Sequence, residues 1–187
     1  TKRTKFSGGT GVIPENLISS RLVYCAGIIS LIVGGLIGLY FVTIKGIIIL
    51  VLLVFAIISI YFYSTNIVNA GLGELFVAIK GCMIVLGSYY IQSDSIELTS
   101  AYVGIIIGLL SSVVLLVTSF PDYDADKKSG RRTLVIVIGK ENSIKLLIII
   151  IGVTYAMIIG GAIFNVLPNS SIIGISSAPF AVKAVRK

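Results

Sequence analysis

Between Phe120 and Thr133 the chain reads FPDYDADKKSGRRT, in which three carboxylates, Asp122, Asp124 and Asp126, precede four cations, Lys127, Lys128, Arg131 and Arg132. Asp122 and Asp126 stand i, i+4, so on a helix that continues through Pro121 they share one face, and Pro is tolerated in a first turn or at a kink. Hard oxygen ligands at that spacing suit Mg²⁺, which takes one or two carboxylates and completes its shell with phosphate and water. The neighbouring cations can pair with phosphate oxygens, Arg in a bidentate fork. The segment thus points to a site for a metal ion and a polyanion. Asp122 and Asp126 are its candidate catalytic and metal-ligating residues. Lys127, Lys128, Arg131 and Arg132 are candidates for holding a diphosphate. Asp124 falls on another helical face and reads as solvated or as an outer partner.

Three other readings use the same residues. D-Y-D-A-D opens like a calcium-binding EF-hand loop, but Lys127 stands where that loop requires Gly and Thr133 where it requires Glu, so that reading fails. The cations could serve only to set membrane topology. Ion pairs within the loop, worth tenths of a kcal/mol, could exist beside either role. His is absent, so chemistry here must rest on carboxylates, cations, hydroxyls or a bound metal.

The elements that must position these residues are transmembrane helices. Apolar residues make up 56% of the chain and charged residues 12%, against about 25% charged in an average soluble domain. Mean hydropathy is +1.06. A helix needs about 20 apolar residues to cross a bilayer. Hydropathy predicts spans near Leu22–Ile44, Gly46–Tyr63, Leu75–Ile91, Ala101–Ser119 and Ile144–Phe164, with a shorter sixth, Ile172–Val185, that is either truncated or broken by Pro179. The fold class expected is all-α, a multi-pass transmembrane bundle forming one membrane domain over 1–187. The opening TKRTK, with no initiator Met and no signal peptide, suggests a piece of a longer protein.

Loop charges orient the bundle. Lys2, Arg3, Lys5 and Arg21 precede the first span, six cations lie between Phe120 and Lys145, and three close the chain, while Gln92–Glu97 is acidic. Alternating loops put these basic segments on one side, cytoplasmic by the positive-inside rule, with the cell membrane as location. The net charge of +7 therefore reads as orientation, and a nucleic-acid partner is not expected. Cys25 and Cys82 lie within apolar runs and read as free thiols. Gly34, Gly35, Gly38, Gly104, Gly108, Gly160 and Gly161 fall inside spans, where small residues permit close helix approach.

The acidic–basic segment resembles the UbiA superfamily of intramembrane prenyltransferases. D-x-x-x-D followed by K-K-x-G-x-x-T-L and a further Gly matches Asp122, Asp126, Lys127, Lys128, Gly130, Thr133, Leu134 and Gly139. GLGE at Gly71–Glu74 opens a helix ending in Tyr89–Tyr90, and FSGGTGVIPENLIS at Phe6–Ser19 is similar to the segment after the first aspartate motif, both as in the 1,4-dihydroxy-2-naphthoate (menaquinone-type) branch. The resemblance covers nearly the whole chain in family order. It implies nine helices around a cavity with both aspartate motifs at its cytoplasmic mouth, the spans here being the third to the eighth. The family's first motif, N-D-x-x-D, is expected before Thr1, so the piece alone is expected to be inactive.

The resemblance further implies a Mg²⁺-dependent transfer of a polyprenyl group from a polyprenyl diphosphate to an aromatic acceptor such as 1,4-dihydroxy-2-naphthoate, within the lipid bilayer. A glycerol-phosphate lipid, a haem precursor or a chlorophyll precursor is the alternative acceptor in the same fold. Glu74 either orients the acceptor or partners the helix dipole. Tyr63, with Ser64 and Asn66, lies at a cytoplasmic span end, where Tyr63 either contacts substrate or anchors the interface. Gly8, Gly9 and Gly11 form either an anion-binding nest or a flexible turn. Lys80 is an intramembrane cation, a functional suspect unless it snorkels. The non-enzymatic rival is a transporter or membrane scaffold, disfavoured because transporters place ionisable groups near the midplane.

Overall fold

A computed structural model describes residues 15–63 and 67–185 of the chain. Gly8, Gly9, Gly11, Ser64 and Asn66 lie outside the described residues. The described part is helical, with α1 Ser20–Lys45, α2 Ile47–Phe62, α3 Gly73–Ser93, α4 Leu98–Lys128, α5 Leu134–Ile138, α6 Lys140–Ile163 and α7 Ala178–Val185. It divides into two compact units, the first ending at Ser59 and the second beginning at Ile60.

Four helices, α1, α3, α4 and α6, are long and apolar enough to cross a membrane, and the chain is a multi-pass membrane protein. α2, at 16 residues, is a shorter apolar helix. The sixth segment, expected to be truncated or broken at Pro179, is broken there. Asn169–Ser177 is a 3₁₀ segment and α7 follows it with only 8 residues. Pro179 lacks an N–H and is readily accommodated in the first turn of a helix, which is where it stands in α7. The serines at 170, 171, 176 and 177 interrupt the apolar run beside it.

In the first unit α1 begins at a serine cap, the Leu22 N–H donating to Ser19 Oγ at 3.3 Å. A Cβ on Gly38 would lie 2.6 Å from Leu53 Cδ1, so the glycine admits that side chain, whereas Gly34 and Gly35 have nothing within 4 Å. The close approach expected of all three holds for Gly38 alone.

The second unit is built on the hairpin of α3 and α4, with α6 against α4. Glycines let the hairpin close. A Cβ on Gly81 would fall 2.9 Å from Gly108 Cα, one on Gly104 would fall 3.0 Å from Cys82 Sγ, and one on Gly108 would overlap the Ala78 carbonyl. The backbones touch here, as small residues allow in a lipid solvent that gives helices no hydrophobic reason to associate. α6 runs back along α4. The Tyr102 hydroxyl at the start of α4 donates to the Met157 carbonyl near the end of α6 at 2.7 Å, and Lys140 at the start of α6 meets Tyr123 near the end of α4. Leu116, Val135 and Leu147 form the buried core, with Phe120, Tyr123 and Leu134 packed on it.

Hydroxyls inside these helices bond their own turns, as a medium without water demands. Ser119 donates to Leu115 O at 2.9 Å, Ser143 to Gly139 O at 2.8 Å and Thr154 to Ile150 O at 2.8 Å.

Candidate active site

The antiparallel packing gathers the start of α3, the end of α4, the 129–133 turn and the start of α6 at one end of the second unit. α4 carries the acidic motif there. It has 31 residues, a length of about 46 Å against about 30 Å for a hydrocarbon core, so it is longer than a crossing needs. The helix runs unbroken through Pro121, as the carboxylate spacing requires. Asp122 and Asp126 are both half-buried on one face, while Asp124 is exposed.

A Schellman turn ends α4. Gly130 takes φ +77°, the Arg131 N–H donates to the Asp126 carbonyl at 3.0 Å, and the Gly130 N–H donates to the Lys127 carbonyl at 3.4 Å. A left-handed residue at this position suits Gly because it has no Cβ. The reversal sends Arg131 back along the helix, where its Nη1 stands 3.6 Å from Asp126 Oδ1. Sequence spacing placed a cation near that carboxylate, and the turn selects Arg131. Lys128 and Arg132 are exposed. Lys127 lies 5.8 Å over the Tyr123 ring.

Tyr123 was not among the expected site residues. Its ring carries the Lys140 ammonium at 4.4 Å, which ties the acid-bearing turn of α4 to the start of α6. The only sequence signal was an aromatic between two aspartates, and the partner lies too far along the chain for any local pattern to pair them.

Beside this end a small cleft of about 30 Å³ is lined by Tyr63, Val68, Gly73, Glu74, Leu115, Ser119, Thr133 and Leu134. Glu74 is 4% exposed, which is costly for a carboxylate unless something bonds it. Tyr63 is half-buried, stacks near Phe76 with centroids 6.0 Å apart, and lies within electrostatic range of Glu74 and Arg131. It is therefore a wall of the cleft as well as a residue at a helix end. Lys80 is exposed, with its ammonium 5.7 Å over the Tyr63 ring. The cleft joins Tyr63 and Glu74, and Arg131, paired with Asp126, lies within electrostatic range of Tyr63; Asp122, Lys127, Lys128 and Arg132 do not line it.

Among the described residues no group of three or more His, Cys, Asp or Glu side chains gathers to hold a metal. The Asp122–Asp126 pair still fits Mg²⁺, whose protein ligands number one or two carboxylates with the remainder from phosphate and water.

These features define a class: a multi-pass helical membrane protein with a polar, doubly charged site at one end of its bundle. The chain belongs to the UbiA prenyltransferase family, whose profile matches residues 10–186. It is similar to the 1,4-dihydroxy-2-naphthoate octaprenyltransferase of Bacillus subtilis, 34% identical over 115 residues, which are 61% of this chain and 37% of that protein. The corresponding Escherichia coli enzyme is 28% identical over 125 residues, 62% of this chain and 38% of that protein. The 2-carboxy-1,4-naphthoquinone phytyltransferase of Synechocystis is 24% identical over 117 residues, again 62% and 38%. The match thus spans under two fifths of the length of these curated relatives. No solved structure matches the chain significantly.

Proposed function

We propose that the intact protein transfers a polyprenyl group from a polyprenyl diphosphate to an aromatic quinone precursor such as 1,4-dihydroxy-2-naphthoate, inside the cell membrane. The family supports the reaction type, and the names of the three relatives support a bicyclic aromatic acceptor. Residues 1–187 then form part of one transmembrane prenyltransferase domain. The basic segments favour a cytoplasmic position for the 120–133 segment.

The observation that carries the reading is the arrangement of Asp122 and Asp126 on one face of the last turns of α4, with Arg131 folded back to 3.6 Å from Asp126. Asp122 and Asp126 would hold Mg²⁺, which supplies charge neutralisation for a diphosphate. Arg131, with Lys127, Lys128 and Arg132, binds the diphosphate oxygens and stabilises their charge as the carbon–oxygen bond breaks. The electron pair of that bond leaves with the diphosphate, the acceptor ring carbon forms the new carbon–carbon bond, and the group displaced from that ring carbon departs without its bonding electrons. The apolar helices keep water from the allylic cation. Glu74 and Tyr63 face the acceptor side.

The test is turnover by the intact protein in lipid, with a labelled polyprenyl diphosphate and 1,4-dihydroxy-2-naphthoate. Product should form with Mg²⁺, cease with a chelator and return on re-addition. No product under Mg²⁺-replete conditions rejects the reading.

A further inference from the structure

Thr133 holds a position that normally consumes its hydroxyl. It is the N-cap of α5, where a Thr oxygen ordinarily accepts from an amide of the first turn. Here the side chain makes no cap bond. The residue is 8% exposed, and its Oγ1 is buried without a hydrogen-bond partner. Ser119, Ser143 and Thr154 are each bonded to their own turn. Among the described residues Thr133 Oγ1 and Ser171 Oγ are both buried without a partner, and of the two Thr133 lines the cleft that holds Glu74, where an unpaired hydroxyl calls for a reason.

The same cleft holds the 4%-exposed Glu74. Glu74 and Thr133 do not bond each other, since Thr133 Oγ1 has no partner. Ser119 on the same wall donates to Leu115 O. Leu115, Leu134 and Val68 make the rest of the lining apolar. A carboxylate accepts only, and a threonine hydroxyl can donate. A group that bridges the two must donate to one and accept from the other. The cleft, about 30 Å³, has room for roughly one or two water-sized groups. It is too small for a ring and suited to one hydroxyl at the edge of a ring.

We infer that this cleft is the subsite for a ring hydroxyl of the aromatic acceptor, the hydroxyl donating to the Glu74 carboxylate and accepting from the Thr133 O–H. The inference rests on the aromatic acceptor proposed above and adds the atoms that recognise it. Tyr63 forms the wall next to which the ring edge enters. A substrate lacking the hydroxyl leaves Thr133 Oγ1 unpaired and Glu74 with only its backbone hydrogen bond, which is how a polar subsite rejects an isostere.

The experiment measures binding rather than turnover, so that it stands apart from the transfer chemistry. The intact protein in lipid nanodiscs, under reducing conditions and without prenyl diphosphate, is titrated calorimetrically with 1,4-dihydroxy-2-naphthoate and with 1,4-dimethoxy-2-naphthoate, which cannot donate. Wild type should prefer the dihydroxy compound by about tenfold or more. Thr133→Val and Glu74→Gln should each reduce that preference to within about threefold, and Thr133→Ser should retain it. A Thr133→Val protein that keeps the preference, a Thr133→Ser protein that loses it, or a wild type that binds both compounds alike or neither overturns the inference, leaving the cleft to a structural water. Absence of prenyl transfer in the separate turnover assay strikes the reaction and leaves this comparison readable.

Discussion

The Arg131 guanidinium stands 3.6 Å from the Asp126 carboxylate because Gly130 reverses the chain at the end of α4. Arg131 itself is half-exposed, so the pair adds little stability. Its consequence is placement: the cation is held beside a candidate metal-ligating carboxylate and within electrostatic range of Tyr63.

Asp126→Asn and Asp122→Asn should each lower prenyl transfer by the intact protein more than about a hundredfold, because each removes a charged oxygen ligand. Asp124→Asn, on the exposed face, should stay within about threefold. Turnover with labelled diphosphate separates the three. Comparable losses at all three positions would remove the special role of the i, i+4 pair.

Arg131→Gln should raise the KM for the polyprenyl diphosphate by about tenfold or more, and Arg131→Lys should recover part of it, since Lys keeps the charge without the bidentate fork. The acceptor KM should change little. An unchanged diphosphate KM in Arg131→Gln would confine the residue to the end of its helix.

Lys140→Met should destabilise the protein by about 0.5–1 kcal/mol through loss of its contact with the Tyr123 ring. Tyr123→Phe should be nearly neutral for that contact and Tyr123→Leu should not. Thermal unfolding in detergent, with the Lys140→Met/Tyr123→Leu double variant, reads the coupling. Additive effects would show that the ring and the ammonium act independently.

Gly108→Val should destabilise the second unit by about 1–3 kcal/mol or more, because the added atoms meet the Ala78 carbonyl across the α3–α4 contact. Gly152→Ala, with nothing within 4 Å, should be neutral or slightly stabilising through helix propensity. Melting temperatures of the two variants give the comparison.

Ser129→Cys, in a protein with Cys25 and Cys82 replaced by Ala, should react with a membrane-impermeant thiol reagent in inverted vesicles and not in intact cells. The opposite pattern would invert the orientation proposed from the positive residues.

Much was legible in the sequence because lipid imposes simple rules. Apolar runs of membrane length, basic segments at their ends and the i, i+4 spacing of Asp122 and Asp126 are local patterns, and helices form from local bonds. The same local logic placed Asp124 on the other face. In Ile172–Val185 the proline was legible as a break, while the paired Ser176 and Ser177 that also divide the segment were averaged away by hydropathy. Gly34 and Gly35 carried the same composition signal as Gly108, yet only a packed partner gives a glycine contact to permit.

Tertiary structure decided what no spacing encodes: that Arg131 is the cation at Asp126, that Lys140 settles on Tyr123, and that Glu74 and Thr133, 59 positions apart, line one cleft. Residue type and helical period determine which groups share a face. Which faces meet depends on backbones close enough to touch, here through Gly81 and Gly108, and that contact brings the start of α3 beside the end of α4.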